Sequence, residues 1–538
     1  MNGSGREAQF DAIVLGAGFA GLYALYRLRN LGLRVRVFEA GGGVGGTWFW
    51  NRYPGARCDI ESLEYSYSFS EELQQQWQWP DRYGFQPEIL RYLDHVADRF
   101  DLRRDIEFNT RATTAVFDPG VARWTVGFDH GGSVTARFCV MACGNLSAPR
   151  IPDIPGLKDF RGRWYQTARW PATRVDFSGL NLGVVGTGAT GVQVIPWIAR
   201  EAAHLHVFQR TANYSVPARN GPLDAGRERA HKANYRQRRE AALLTSFGVA
   251  GYPPPTQSAL EVSDEERLRT YEAKRAEGLA FGLLSSYTDL MTSKAAYDTA
   301  AEFVRGKIRA TVRDPAVAAL LSPTDHPLGS RRLCLDSGYH ETFNRGNVSL
   351  VDARNEPIAA ITADGVATAK REYRLDAIVF ATGFDAMTGA LRAIDLRNGA
   401  GDKLAGRWAA GPASYLGLMI AGFPNMFLVT GPGSPSVKAQ MVVAIEHHVN
   451  WIAECIEHLR VRGLASIEAQ EAAQADWVRH VDQVAQGTLF PLADSWYYSK
   501  GGPGSQRRFI PYVGGVARYR AKCAEVAANG YEGFTLKE

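Results

Sequence analysis

Phe10-Asp-Ala-Ile-Val-Leu-Gly16-Ala-Gly-Phe-Ala-Gly21 is the stretch that decides the fold. Its apolar run ends at Gly16, as a buried parallel strand does where it enters a turn. Gly16, Gly18 and Gly21 have the spacing for a tight turn, for close approach of a pyrophosphate, and for close packing of the next helix on the strand. The helix predicted over 22–32 aims its unpaired amides at the phosphates. A second strand, 34–38, ends in Glu39, whose carboxylate suits both hydroxyls of an unphosphorylated ribose. Strand, turn, helix, strand and acid in this order predict a Rossmann-like unit that holds FAD.

The plan recurs further along. Strand 182–185 runs into Gly186-Thr187-Gly188-Ala-Thr-Gly191, then helix 192–200 and strand 205–209. This second strand ends in Arg210-Thr211, and a cation at that position favours a ribose 2′-phosphate, hence NADPH. Apolar strands also close on Ala-Cys-Gly144 and Ala-Thr-Gly383, where the chain leaves and re-enters the first unit. Between the repeats and the return, 220–330 is charged, rich in Ala and Arg, and helical in spacing over 224–239 and 264–280. The expected fold class is α/β: two Rossmann-like dinucleotide-binding domains, for FAD and NADP, with a helical insertion. The expected division is an FAD domain over 1–145 and 384–538, an NADP domain over 146–220 and 331–383, and the insertion over 221–330.

Bulk properties agree with several units in one chain. At 538 residues the protein exceeds a single core. Its 61 basic and 56 acidic side chains leave a net charge of +5, too balanced to argue for nucleic acid. The six cysteines have neither metal-ligand spacing nor a disulfide framework, which reads as reduced thiols and a cytoplasmic setting without metal. No apolar run reaches the ~18 residues of a spanning helix, so no membrane partner is expected.

Three further motifs carry chemistry. Phe160-Arg-Gly-Arg-Trp-Tyr-Gln166-Thr-Ala-Arg-Trp-Pro171 lies between the two fingerprints, and prolines at 152, 155 and 171 predict an irregular interdomain linker across it. Gly45-Gly-Thr-Trp-Phe-Trp-Asn-Arg-Tyr-Pro-Gly-Ala-Arg-Cys-Asp59 has no helical or strand period and reads as a loop at a site. Gly329-Ser-Arg-Arg-Leu-Cys-Leu-Asp336 sets two arginines between apolar residues, by composition either a solvated edge or a phosphate contact.

Taken together and in order, these motifs resemble the Baeyer–Villiger monooxygenases, class B flavoprotein monooxygenases, with cyclohexanone and phenylacetone monooxygenases the similar members. The central fingerprint departs at Gln166, where that family has His. The resemblance implies that Thr47, Trp48, Asp59, Tyr65 and Arg57 are cofactor-binding on the flavin side, with Ala112 beside the adenine and Met441 at the flavin edge. It implies Arg332 as the catalytic arginine over the flavin with Asp59 as its partner, Arg331 on the NADP phosphate, and Trp496 of Asp494-Ser-Trp-Tyr497 at the nicotinamide. The implied reaction inserts one oxygen atom of O2 next to a ketone carbonyl through a flavin C4a-peroxide, giving an ester or lactone. Two other readings stay open. One is a related flavin monooxygenase oxidising sulfur or nitrogen. The other is an NADPH oxidase-like or redox-silent flavoprotein, with Gln166 as its mark. The turn Lys500-Gly-Gly-Pro-Gly-Ser505 also departs from the family, and the expected assembly is a monomer or weak homodimer.

Overall fold

The computed structural model describes residues 8–499 and 507–538, so the turn at 500–505 lies outside the described residues. The first layer is an eight-stranded sheet centred on Ala8–Leu15, with Val35–Phe38 and Ser133–Met141 parallel on either side. Ala12, Ile13 and Val14 have no exposed surface, the expected state of a parallel strand covered on both faces. From edge to edge the sheet runs Asp395–Arg397, Ala112–Asp118, Arg123–Phe128, Ser133–Met141, Ala8–Leu15, Val35–Phe38 and Ile106–Glu107. Met426–Leu428 pairs with the last three residues of Ser133–Met141. The C-terminal third is therefore hydrogen-bonded into the sheet that the N-terminus begins.

The turn glycines are fixed by contact. Gly16 sits at φ 107°, and a Cβ there would lie 2.6 Å from the Ala142 carbonyl oxygen. A Cβ on Gly21 would lie 1.7 Å from the Gly16 oxygen. Gly18 itself is the N-cap, so the helix is Phe19–Asn30 and starts three residues before the predicted 22.

The second sheet has five parallel strands in the order Val348–Asp352, His204–Gln209, Asn181–Val185, Ala377–Phe380, Arg163–Gln166. The last of these corrects the sequence reading, because the central fingerprint is an edge strand of this sheet rather than an irregular linker. The prolines that argue against structure all fall outside the four paired residues, and an edge strand needs a ladder on one side only. Phe160 is buried with Phe208, Ile378 and Phe380. Trp170 packs on Tyr165 and Phe177, with ring centroids 5.4 and 6.0 Å away. Gly162 is required by crowding, since a Cβ would lie 2.5 Å from both the Asp376 oxygen and the Phe160 ring.

The insertion is helical, as its spacing predicts, but 224–239 is two helices, Ala225–Ala233 and Tyr235–Leu243, parted at Asn234. Asp264–Glu277, Lys294–Thr311 and Pro315–Leu321 follow. The caps are side chains of the kind that satisfy orphan amides: Asp224 accepts from Arg227, Ser263 from Glu266, Ser293 from Ala296, and Asp314 from Ala316 and Val317. Among the described residues no helix is long and apolar enough to cross a membrane. All six cysteines are free thiols.

The packing around Gly162 yields a stability prediction. Gly162→Ala is expected to destabilise by about 1–3 kcal/mol through overpacking against Asp376 and Phe160. Gly346→Ala, where a Cβ meets nothing within 4 Å, is the control. Thermal midpoints of the two variants compared with wild type decide it, and equal midpoints would show that the fingerprint strand has room to give.

Candidate active site

Two cradles stand at the C-terminal ends of the central strands. In the first, helix Phe19–Asn30 begins at Gly18 with no side-chain cap and no acid in its first turn, so its leading amides are free to meet an anion. Glu39, 5% exposed, accepts from the Ala17 and Gly41 amides at 2.7 Å each, one on each carboxylate oxygen. Those two bonds pin the acid beside the turn and leave each oxygen a further lone pair for a ribose hydroxyl. In the second, helix Ala189–Glu201 begins at Gly188, again with no side-chain cap and no acid in its first turn. A Cβ on Gly188 would meet open space, whereas one on Gly186 or Gly191 would strike backbone at 2.6 or 2.3 Å. Sterics inside the protein thus account for Gly186 and Gly191, and space beside the turn is what Gly188 provides. Thr187 is held by its hydroxyl donating to the Thr211 carbonyl at 2.9 Å. Arg210 is exposed and has no ion pair among the described residues, with Arg331 close enough to be felt electrostatically.

Between the cradles lies an ion pair. Arg332 Nε donates to Asp59 Oδ2 at 3.1 Å, with Asp59 8% exposed. Burial opposes the guanidinium charge, but Asp59 together with Tyr497 and Cys58 holds the Arg332 pKa above the ordinary arginine value. Nη1 reaches the Val437 carbonyl only at 3.4 Å, and Nη2 has no hydrogen-bond partner among the described residues. Nε is therefore anchored, while Nη2 keeps its donors free. Asp59 Oδ1 is buried without a partner. Strand Cys334–Asp336, paired in parallel with Ser215–Pro217, carries Arg332 two residues before its start. Cys58 and Cys334 flank the pair, and burial pushes the Cys58 thiol up to about 12 and Cys334 higher still.

Asp59 is supported by its loop. Helix Thr47–Trp50 opens the loop, with Thr47 exposed and Trp48 buried. Trp48 Nε1 donates to the Tyr65 hydroxyl at 3.2 Å, and the two rings meet edge to face. Arg57 is 5% exposed and spends its guanidinium on the Leu335 carbonyl and the Ser337 hydroxyl, both at 2.6 Å. It thereby binds the loop of Asp59 to the strand of Arg332. Gln193, on the helix of the second cradle, ties in as well: it accepts from the Tyr53 hydroxyl at 2.9 Å and donates to the Arg57 carbonyl at 3.1 Å.

The far wall is Gly431–Ser436 and the start of helix Met441–Val461, where Met441 is partly buried. Gln440 has no exposed surface; it caps Val442 and Val443 and donates to the Glu64 carbonyl at 2.6 Å. Its amide donates to Phe247 of the insertion at 2.8 Å. Phe247 stacks on Phe281 at 4.4 Å and 3°, and the Arg332 guanidinium lies 6.0 Å from the Phe281 ring. The insertion thus contributes a wall to the site, although its composition speaks only to solubility. Isolated Phe residues among charged helices carry no period, so nothing in the pattern marks them.

Other predicted residues fall around this centre. Ala112 opens strand Ala112–Asp118 and packs on the smaller core of the first sheet. Arg331 donates to the Asp494 carbonyl at 2.6 Å, tying the arginine segment to the loop of Trp496. Trp496 rests on Tyr497 at 4.4 Å, and it is Tyr497, 1% exposed, that faces Arg332. Gln166 is 7% exposed with Nε2 buried and unpartnered, and Arg169 three residues on stacks over Trp50 at 3.9 Å.

Comparison with known proteins gives the family. Residues 10–233 match the pyridine nucleotide-disulphide oxidoreductase family. The chain is 42% identical to a Baeyer–Villiger monooxygenase of Pseudooceanicola batsensis over 97% of this chain and 96% of that one. It is equally 42% identical to a phenazine N-monooxygenase of Lysobacter antibioticus over 98% of this chain and 97% of that one. A solved oxidised steroid monooxygenase bound to NADP superposes with a TM-score of 0.94 at 52% identity, covering 99% of this chain and 100% of that one. With these full-length similarities and the arginine–aspartate pair set between two dinucleotide cradles, the chain belongs to the Baeyer–Villiger monooxygenases.

Proposed function

We propose that this chain is an FAD- and NADPH-dependent monooxygenase that inserts one oxygen atom of O2 beside a ketone carbonyl, giving an ester or lactone. The balance is ketone, O2, NADPH and a proton in, and ester, NADP+ and water out. The observation that carries the reading is the half-anchored Arg332. Asp59 fixes its Nε, Nη2 is left without a partner among the described residues, and the Phe281 ring lies 6.0 Å from the guanidinium. FAD reduced by NADPH supplies the oxygen-activating chemistry when bound.

The protein's own residues do the rest. Gly16, Gly18, Gly21 and Glu39 hold the FAD pyrophosphate and ribose, with Thr47, Trp48, Asp59, Tyr65, Ala112, Met441 and Arg57 lining or bracing the remainder of that site. Gly186, Thr187, Gly188, Gly191 and Thr211 hold the NADP turn, Arg210 and Arg331 face its 2′-phosphate, and Trp496 closes over the nicotinamide end. Arg332 donates to the former carbonyl oxygen as negative charge grows there; a guanidinium suits this because it keeps its proton throughout. Asp59 prevents it from turning away, and the aromatic walls exclude water that would screen the charge. Gln166 offers donor and acceptor atoms without ionising, so the fingerprint position takes part in packing the strand edge rather than in proton transfer. The domain division at 145, 220, 330 and 383, a cytoplasmic setting, and a monomer or weak homodimer complete the proposal. Oxidation of a ring nitrogen is the second reading, favoured by the similarity to the Lysobacter enzyme.

Arg332→Ala is expected to keep NADPH-driven flavin reduction within a few-fold while ester formation falls by about 10²–10³, the usual loss of a preorganised oxyanion donor. Stopped-flow reduction and product analysis on one preparation separate the two steps. Ester formation at the wild-type rate would remove Arg332 from the reaction. Retained N-oxidation of a phenazine with no ester from any ketone would favour the second reading.

Arg210→Ala is expected to raise KM for NADPH about tenfold and to leave KM for NADH unchanged, since only the phosphorylated cofactor loses an ion pair. An equal rise with both would transfer the 2′-phosphate to Arg331 alone.

A further inference from the structure

Lys438, close enough to Arg332 to feel its charge, has no ion pair among the described residues. It follows Val437, whose carbonyl lies 3.4 Å from Arg332 Nη1, so it stands on the wall that faces the reacting arginine. A lysine on a wall loop ordinarily lays its stem along the surface and sends its ammonium to water. Here the ammonium turns inward. Nζ lies 4.4 Å from the Phe490 ring centroid and 4.6 Å from that of Tyr497, two side chains that are 4% and 1% exposed. Its single hydrogen bond among the described residues is a long one, 3.4 Å, to the Gly329 carbonyl. Among the described residues no carboxylate lies within 4.0 Å of it, and Asp59, the carboxylate on Arg332, is committed to that arginine.

Two aromatic faces and one distant carbonyl do not replace the hydration of an ammonium, which has three donors to satisfy. The like charge of Arg332 adds to the cost, and burial followed by Arg332 pulls the Lys438 pKa down to about 7. An arrangement of this kind is explained if the missing counter-charge arrives with the substrate. Arg332, with the Phe281 ring 6.0 Å from its guanidinium, takes the carbonyl end of the ketone, so Lys438 is left for a group at the other end of the molecule.

On the reading of the site given above, we infer that Lys438 is a specificity-determining residue that receives a carboxylate carried by the ketone at a distance from its carbonyl. The preferred substrate is then an oxo acid rather than a neutral ketone. Phe490 and Tyr497 hold the ammonium in place until the carboxylate docks, and the ion pair formed there is sheltered from solvent by the same rings.

The test uses a series of straight-chain oxo acids of increasing length, each paired with its neutral methyl ester, and the flavin-loaded enzyme as wild type, Lys438→Leu, Lys438→Met and Lys438→Arg. Product formation gives kcat/KM for each pair. The expected result is that wild type prefers at least one oxo acid over its ester by tenfold or more. That ratio should collapse towards one in the Leu and Met variants and be largely kept by Arg. A ratio that Lys438→Leu and Lys438→Met leave unchanged overturns the inference, as does a wild type that prefers the ester at every length. Calorimetric binding of the matching straight-chain carboxylate without a carbonyl, to wild type and Lys438→Met, keeps the two readings apart. If no ketone yields ester but the carboxylate binds and loses at least tenfold in affinity in the variant, the reaction assignment fails and the anion site stands. If esters form but carboxylate affinity does not change, the reaction stands and the anion site fails.

Discussion

The hydrogen-bonded ion pair between Arg332 and Asp59 joins segments 273 residues apart in the chain, and the rest of the molecule is arranged so that the two can meet. Asp59 arrives on a loop that leaves the first sheet after Val35–Phe38, and Arg332 arrives only after the second sheet has begun and the helical insertion has been traversed. Asp59 is buried and Arg332 27% exposed, so removing the arginine would leave a buried carboxylate uncompensated. The protein therefore surrounds the pair with further ties between the same two segments, chiefly Arg57 to Leu335 and Ser337. Helix Ala189–Glu201 adds Gln193 to this knot. The distance between the two cradles is thus set by side chains, not by a linker.

The same logic explains the fingerprint strand. Arg163–Gln166 hydrogen-bonds to the second sheet, while Arg169, three residues later, lies across Trp50 of the first unit's loop. Phe160 and Trp170 are buried in different cores on either side of this short strand. A run of small, basic and aromatic residues does this because each type contributes something different. The aromatics anchor, the glycine lets backbones approach, and the arginine spans the gap by stacking. Replacing histidine by glutamine in such a place exchanges one buried polar group for another of similar reach.

How much of this is legible in the sequence depends on how local the cause is. The two glycine turns are readable because backbone crowding at Gly16, Gly21, Gly186 and Gly191 admits no other residue, and the strands beside them are continuous apolar runs. The loop ending at Asp59 and the paired arginines are readable only through resemblance, since nothing in either segment says that it meets the other. The edge strand is hidden because prolines nearby outweigh four residues whose pairing partner, Ala377–Phe380, lies over 200 positions away. The wall from Phe247 and Phe281 is invisible for a related reason: each is a single aromatic residue whose role exists only once Gln440 and Arg332 are brought against it.

Two thiols sit against the arginine and aspartate, in a protein that handles dioxygen. Oxidants attack the thiolate far faster than the thiol. Burial pushes the Cys58 thiol up to about 12, so it stays protonated at neutral pH. Cys334 is held still further towards its neutral form by the same exclusion of water. Burial that serves the electrostatics of the ion pair therefore also passivates the sulfur beside it. Stray peroxide released by a wasted turnover therefore meets thiols rather than thiolates beside the ion pair.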